Sequence, residues 1–234
     1  MAQLVRPEGL TLDRQEALRY VGYNGQAIDD ALLGRFELLA QACEQDLSPA
    51  GVWESFAIEQ VTQTGVKLAS GLVLEGTDIA AHLAKAKEAV LLACTLGVES
   101  ERELRKYAAT SAVDGMLYGA CASALVESLA NAVEASVVAY ATERGLRTNF
   151  RYSPGYGDLP LDVQPGFVRA LQATVRIGLT CTPDNFLVPT KSVTAVVGLF
   201  DAAATIPDEG SRCSACQLRY HCELRKKGTS CHGR

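Results

Sequence analysis

Apolar residues recur at intervals of three and four over residues 111–144, and this spacing predicts one long, mostly buried helix. The repeating positions are Met116, Leu117, Ala120, Cys121, Ala124, Leu125, Leu129 and Val133. Gly145 follows the run and is expected to end it. Many of the residues between are Gly, Ala or Ser, so we expect another backbone or a ligand to approach this helix closely.

Shorter patterns predict further elements on both sides of the long helix. Helices are expected over residues 29–45, 77–87 and 167–177, with Thr77 and Asp78 as candidate caps of the second. Strands are expected over residues 55–64, 66–74, 89–95 and 192–200, and at Val188. Helices and strands do not alternate strictly. The pattern therefore predicts an α+β fold, with a mixed or antiparallel twisted sheet, flanking helices and one long central helix.

Two changes in composition divide the chain. Residues 147–165 are rich in Gly, Pro, Tyr and Asp, and they separate a helical first half from a mixed second part. Residues 207–211, Pro-Asp-Glu-Gly-Ser, resemble a linker. We therefore expect one domain over residues 1–206 and a cysteine-rich tail over residues 207–234.

Length and composition narrow the class of protein. With 234 residues, 48% hydrophobic and 21% charged, the chain can bury the core of one good-sized domain. The longest nearly apolar run covers ten residues, 89–98, which is about half of what a bilayer-spanning helix needs. The first residues show no charged segment followed by an apolar stretch. A cytoplasmic protein without a membrane partner is expected.

The charge is unevenly distributed. The net charge is −5, but residues 212–234 carry +5 and the preceding residues carry −10. An acidic body argues against a nucleic-acid surface over the whole domain, so no nucleic-acid partner is expected. The basic tail could contact an acidic partner or could simply be a solvated terminus.

The eight cysteines form two groups. Cys43, Cys94, Cys121 and Cys181 stand singly in apolar surroundings and are expected in the core. The other four lie in the last 22 residues and begin with a Cys-x-x-Cys pair: Cys213, Cys216, Cys222 and Cys231. Such clustering predicts a metal site, either an iron–sulfur cluster or zinc, because two thiolates in a tight turn can bind one metal. The alternative is a reduced tail that binds no metal.

Three further stretches contain candidate binding residues. Residues 151–158 read Arg-Tyr-Ser-Pro-Gly-Tyr-Gly-Asp, a tight turn behind an arginine suited to a carboxylate; a plain surface turn is the alternative. Glu127 lies on the apolar side of the long helix and needs a cation, either a ligand amine or a neighbouring arginine. Residues 179–193 form a polar loop before the last strand.

Taken in order, these stretches resemble a known domain. Cys-Thr-Leu-Gly at 94–97, Ser-Ala-Leu-Val-Glu at 123–127, the turn at 151–160, Leu-Thr at 179–180 and Pro-Thr-Lys-Ser-Val at 189–193 carry the resemblance. The chain is similar, over about residues 13–200, to the S-adenosylmethionine-binding activation (reactivation) domain of cobalamin-dependent methionine synthase in a stand-alone form. The Arg-x-x-Pro-Gly-Tyr element followed by Leu-Thr and Pro-x-x-Ser-Val is specific in combination.

The resemblance implies roles for individual residues. Arg151 would hold the methionine carboxylate of S-adenosylmethionine, and Glu127 would bind its α-amino group. The backbone around Ser153 would contact the adenine, and Tyr156 would line the same pocket. The remaining residues of the implied binding site are Pro154, Gly155, Lys191 and Ser192. A zwitterionic amino acid requires one cation and one anion at a fixed separation, which agrees with these roles.

The resemblance also implies a reaction and its partners. The domain would support reductive methylation, and so reactivation, of the cobalamin of a separate methionine synthase subunit, as part of a methyltransferase. No Asp-x-His-x-x-Gly corrinoid motif is present, so the partner would present the cobalamin. His82 follows Asp78 at helical spacing and is expected to be exposed. The electron donor would be of the flavodoxin or ferredoxin type, and an iron–sulfur cluster in the tail could relay its electron.

Two alternatives remain open at this point. The chain could be a module that senses S-adenosylmethionine or a metal without methyl transfer. It could also activate a different corrinoid methyltransferase.

Overall fold

The computed structural model describes residues 1–204 together with Ile206 and Tyr220. The predicted tail and its candidate ligands Cys213, Cys216, Cys222 and Cys231 lie outside the described residues. The helices are α1 Arg14–Tyr20, α2 Asp30–Asp46, α3 Thr77–Leu83, α4 Val98–Thr110, α5 Ala112–Glu143, α6 Gln164–Ala170 and α7 Ala173–Ile177. The strands are β1 Gln3–Val5, β2 Ala50–Val61, β3 Gly65–Leu68, β4 Val73–Glu75, β5 Glu88–Thr95, β6 Leu146–Thr148, β7 Thr180–Cys181, β8 Leu187–Val188 and β9 Ser192–Asp201.

Seven of these strands form one antiparallel sheet. Its order is β4-β3-β2-β5-β9-β6, and β1 pairs with the first half of β2. Strands β5 and β9 pair over eight residues, from Glu88 opposite Leu199 to Thr95 opposite Ser192. Strands β7 and β8 form a separate small hairpin. The prediction of an α+β fold with an antiparallel sheet and one long helix is confirmed.

The sheet is covered by helices on both faces. Side chains alternate along β5, so Val90, Leu92 and Cys94 pack with α1, α2 and α5 on one face. Ala89, Leu91 and Ala93 pack on the other face with α3, α6 and α7. Because β5 is buried on both faces, its sequence is continuously apolar rather than alternating.

Helix α5 packs closely against the sheet and against α4. A glycine lies at each of these two contacts, in β2 for the sheet and in α5 itself for α4. A Cβ added to Gly51 of β2 would collide with the Val133 side chain. A Cβ added to Gly115 would lie 2.8 Å from the Cα atom of Ala108 in α4. The small residues of the sequence pattern therefore allow the close helix contact that was expected.

Several expected strands and helices differ in detail. The strand predicted over residues 66–74 is two short strands, because the chain turns at Gly71 with φ +81°. The helix predicted over residues 167–177 is divided into α6 and α7, because Gln172 adopts a left-handed conformation with φ +50°. Sequence patterns did not predict β1, α1, α4, β6 and β7.

Two burial predictions are wrong. His82, expected at the surface, is 4% exposed, because the face of α3 that carries it packs on the chain after β6. Cys181, expected in the core, is only partly buried in the short hairpin. Cys43, Cys94 and Cys121 are buried as predicted.

Among the described residues, α5 is the one helix long and apolar enough to cross a membrane by length and composition. Half of its most apolar window is buried inside the fold. A core helix of a folded domain passes the same test.

The packing at α5 predicts opposite effects for two glycine substitutions in the same helix. Alanine favours a helix interior over glycine by about 1 kcal/mol. Gly119→Ala should therefore raise the free energy of unfolding, because its new Cβ would meet Leu104 at an ordinary 3.5 Å. Gly115→Ala should lower that free energy, because its Cβ would press on the α4 backbone. Urea denaturation of both variants checks this, and equal effects at the two sites would contradict the close contact.

Candidate functional site

The turn at residues 151–158 is anchored to the sheet at its first residues and closed on itself at its end. The Tyr152 amide donates to the Val196 carbonyl oxygen of β9 and the Val196 amide donates back, both at 2.9 Å. The Gly155 amide donates to the Leu159 carbonyl oxygen at 2.8 Å. Pro154 is buried, whereas Gly155, with φ +90°, and Tyr156 are exposed. The turn therefore presents its Gly-Tyr tip at the surface.

Asp158 connects this turn to the start of α3. Its carboxylate accepts hydrogen bonds from the Thr77 amide at 2.5 Å, the Thr77 hydroxyl at 2.8 Å and the Asp78 amide at 3.1 Å. Partial burial by itself would raise the pKa of Asp158, but these hydrogen bonds hold it below its usual value. The cap of α3 thus comes from a residue 81 positions later in the chain. Thr77 and Asp78, predicted as caps, instead donate to it.

His82 supports the same turn from behind. Its ring centroid lies 4.4 Å from that of Phe150 and 5.0 Å from that of Tyr152. Asn149 donates from Nδ2 to the His82 carbonyl oxygen at 2.9 Å and accepts at Oδ1 from the Gly198 amide at 2.7 Å. The chain that leads to Arg151 is therefore fixed to both α3 and β9.

Arg151 reaches from this turn to α5. Its Nη2 lies 3.6 Å from Glu127 Oε2 and donates to Asn131 Oδ1 at 2.8 Å. Its Nε lies 3.0 Å from Glu134 Oε2. The Arg151 side chain is only 15% exposed, whereas that of Glu127 is 48% exposed. The structure thus brings Arg151 and Glu127 together. The prediction that Glu127 lies on the apolar side of the long helix is wrong, because its carboxylate is on the solvent side.

Asn131 and Glu134 were not predicted from the sequence. Asn131 lies four residues after Glu127, and Glu134 lies seven residues after it. This spacing places the three residues on one face of a helix. That spacing was the signal that could have identified them.

The chain before β9 contributes a second cation. Lys191 donates from Nζ to the Ser123 hydroxyl of α5 at 2.7 Å. Burial lowers the pKa of Lys191. The Ser192 hydroxyl lies 2.6 Å from the Pro189 carbonyl oxygen and 2.7 Å from Thr95 Oγ1, so its contacts are within the protein. Ser192 therefore fixes the start of β9, while Lys191 extends toward α5.

A thiol lies beneath the Arg151–Glu127 pair. Burial raises the pKa of Cys94 to about 12; the positive charge of Arg151 opposes this rise, and the negative charge of Glu127 adds to it. Cys94 is fully buried. It is therefore protonated near neutral pH and acts as packing rather than as a nucleophile.

The described residues hold no group of three or more His, Cys, Asp or Glu side chains that could bind a metal. What the site does contain is a largely buried arginine, an accessible carboxylate, a half-buried lysine and an exposed glycine-containing turn. Arg151 and Glu127, 3.6 Å apart, suit the two charged groups of a zwitterionic ligand. The exposed turn is available to contact the rest of such a ligand.

The fold has a solved counterpart. The crystal structure of the MetH reactivation domain bound to AdoHcy is similar to this chain, with a TM-score of 0.67 and 15% sequence identity. The similarity covers 98% of this chain and 86% of that one. At this identity the likeness establishes the fold. No family model and no curated protein matches the chain.

The cap of α3 generates a stability prediction. Asp158→Ala should lower the free energy of unfolding by about 1 kcal/mol at pH 7, because it removes the acceptor of the α3 amides. The folded-state pKa of Asp158 is lowered, so its contribution is present above the unfolded-state value, about 3.9, and is lost as the pH falls through the folded-state value. Denaturation curves of both proteins at pH 7 and in acid check this.

Asp162→Ala is the matched control for this experiment, because Asp162 is exposed and makes no hydrogen bond or ion pair among the described residues. A pH-independent loss at Asp158, or an equal loss at Asp162, would show that the cap is unimportant.

Proposed function

We propose that the chain binds S-adenosylmethionine and supports the reductive methylation of cobalamin carried by a separate methionine synthase subunit. The observation that carries the proposal is the convergence of Arg151 and Glu127 at 3.6 Å beside the exposed turn, in a fold shared with a domain bound to AdoHcy. The two charged groups come from elements far apart in sequence.

The charged groups suit the amino-acid end of this ligand. Glu127 is accessible and can accept hydrogen bonds from the ligand's α-ammonium group. Arg151 is held by α5 in a fixed orientation, so its guanidinium meets the ligand carboxylate without a large loss of side-chain entropy. When Glu127 binds the ligand ammonium, its interaction with Arg151 weakens, and the Arg151 guanidinium can then interact more strongly with the ligand carboxylate.

The turn suits the nucleoside end. Gly155 and Tyr156 are exposed at the tip, and Ser153 is partly buried beside them. Backbone groups at Ser153 can meet the adenine edge, and the Tyr156 ring can cover the ligand, because a glycine-containing turn admits close approach. The Asp158 and His82 contacts keep this turn in place before the ligand arrives.

In the proposed reaction the chain positions the ligand rather than supplying an acid or base. One electron from a flavodoxin- or ferredoxin-type donor would reduce the partner's cob(II)alamin, which would then accept the methyl group of the sulfonium. The electron pair of the broken carbon–sulfur bond would stay on the sulfur, so the released product would be the neutral thioether S-adenosylhomocysteine.

Calorimetric titration with S-adenosylmethionine tests the binding step. We expect micromolar affinity, and we expect Arg151→Ala to weaken it by about 1.5–3 kcal/mol through loss of a charged hydrogen bond. Arg147→Ala in β6 is the control. That arginine is exposed and makes no ion pair in the described structure, and its substitution removes the same charge. Absence of binding by the unmodified protein would exclude the proposal.

The methyl-transfer step is tested by mixing the chain with a cobalamin-loaded methionine synthase subunit, a reductant and methyl-labelled S-adenosylmethionine. Label should appear on the cobalamin only when the chain is present. Binding without transfer to this or another corrinoid protein would favour a sensing module instead.

For the tail, we propose that Cys213, Cys216, Cys222 and Cys231 bind an iron–sulfur cluster or zinc; the proposal rests on their spacing alone. Anaerobically purified protein should contain iron or zinc, and Cys213→Ser combined with Cys216→Ser should remove it. A visible charge-transfer band would identify iron–sulfur chemistry. Purified protein with neither metal would reject the site.

A further inference from the structure

Two carboxylates lie against the guanidinium of Arg151. They are those of Glu127 and Glu134, and Arg151 also donates to the neutral amide oxygen of Asn131. The two carboxylates would repel a ligand carboxylate placed beside Arg151, and a second cation close by would offset that repulsion.

Lys191 is such a cation. The protein hydrogen bond of its ammonium is the 2.7 Å bond to the Ser123 hydroxyl. That hydroxyl donates in turn to the Gly119 carbonyl oxygen at 2.9 Å, so it can offer Lys191 only a lone pair. Within residues 1–204, no carboxylate lies within ion-pair distance of Lys191. By contrast, the partly buried Arg14 contacts both Glu37 and Glu44.

A half-buried cation without a carboxylate is costly, because burial removes hydration that no protein charge replaces. Burial lowers the pKa of Lys191, as this cost requires. The position is nonetheless firmly built. The neighbouring Thr190 donates from its amide and its hydroxyl to Glu101 Oε1 of α4, both at 2.8 Å, and the Leu96 amide donates to the Lys191 carbonyl oxygen at 3.0 Å.

Lys191 also lies near the carboxylate proposed for the ligand's ammonium group. Ser123 and Glu127 are four residues apart on α5, so their Cβ atoms are neighbours about 5–6 Å apart. The amino and carboxylate groups of an α-amino acid are bonded to one carbon, so they need an anion and a cation in close proximity. Lys191 is bonded to Ser123, one helical turn from Glu127 on the same face of α5, so this cation and this anion meet that requirement.

We propose that Lys191, positioned by Ser123, is the second cation of a carboxylate subsite, so that the ligand's carboxylate lies between the Lys191 ammonium and the Arg151 guanidinium. This inference rests on the proposed binding of S-adenosylmethionine and specifies which ligand group the lysine recognises. It requires a ligand with a free α-carboxylate, and it accounts for a buried charge that the fold itself does not need.

The test compares two ligands that differ in that one group. Lys191→Met keeps the apolar stem and removes the charge. It should weaken S-adenosylmethionine binding at least tenfold, or about 1.4 kcal/mol, and should change the affinity for decarboxylated S-adenosylmethionine less than twofold. Lys191→Arg should retain most of the preference for the carboxylated ligand. Lys85→Met, at an exposed lysine, controls for the change in net charge.

Each outcome is decisive. An equal loss for both ligands in Lys191→Met, or no loss for either, would overturn the carboxylate subsite. If Lys191→Arg and Lys191→Met lose the preference for the carboxylated ligand equally, the shape of the lysine side chain rather than its charge is responsible. That result would also overturn the carboxylate subsite. Thermal unfolding of Lys191→Met confirms that the variant is folded, and its midpoint should not fall, because the substitution removes a poorly compensated charge. If the unmodified protein binds neither ligand, the proposed function itself fails.

Discussion

The packing of α5 against the sheet determines both the core and the candidate site. One face of this helix buries Leu125, Leu129 and Val133 against the sheet. The adjoining edge carries Ser123, Glu127 and Glu134, which meet Lys191, the residue before β9, and Arg151, in the turn after β6. Because the apolar and polar positions belong to one helix, core packing fixes the spacing of the polar groups that α5 contributes.

The turn that carries Arg151 is held by three contacts with two other elements, β9 and α3. It pairs with β9 through Tyr152, is bonded to α3 through Asp158, and packs against His82. None of these contacts involves the guanidinium itself. A ligand can thus exchange partners with the charged side chain while the backbone beneath it stays in place, which is the arrangement expected of a preorganised binding site.

Local sequence patterns predicted the elements whose structure is decided locally. Helix α5 and strand β5 have long periodic or continuous apolar runs, and their bounds agree with the sequence to within a few residues. Apart from the local turns at Gly71 and Gln172, the errors arise where a distant residue decides. Asp158 caps α3 from far along the chain, and burial of His82 depends on Phe150 and Tyr152. The pairing of Arg151 with Glu134 and the position of Lys191 over Ser123 likewise require the folded sheet.

The sheet order has a consequence for synthesis of the chain on the ribosome. Strand β9, the last of the sheet to be translated, lies between β5 and β6, which are made much earlier. Until residue 201 has emerged, the backbone N–H and C=O groups of β5 that later pair with β9 have no partner strand. This apolar strand edge is then a template for pairing with another nascent chain. Cotranslational folding must therefore protect that edge, and the same final strand that closes it also delivers Lys191 to the helix.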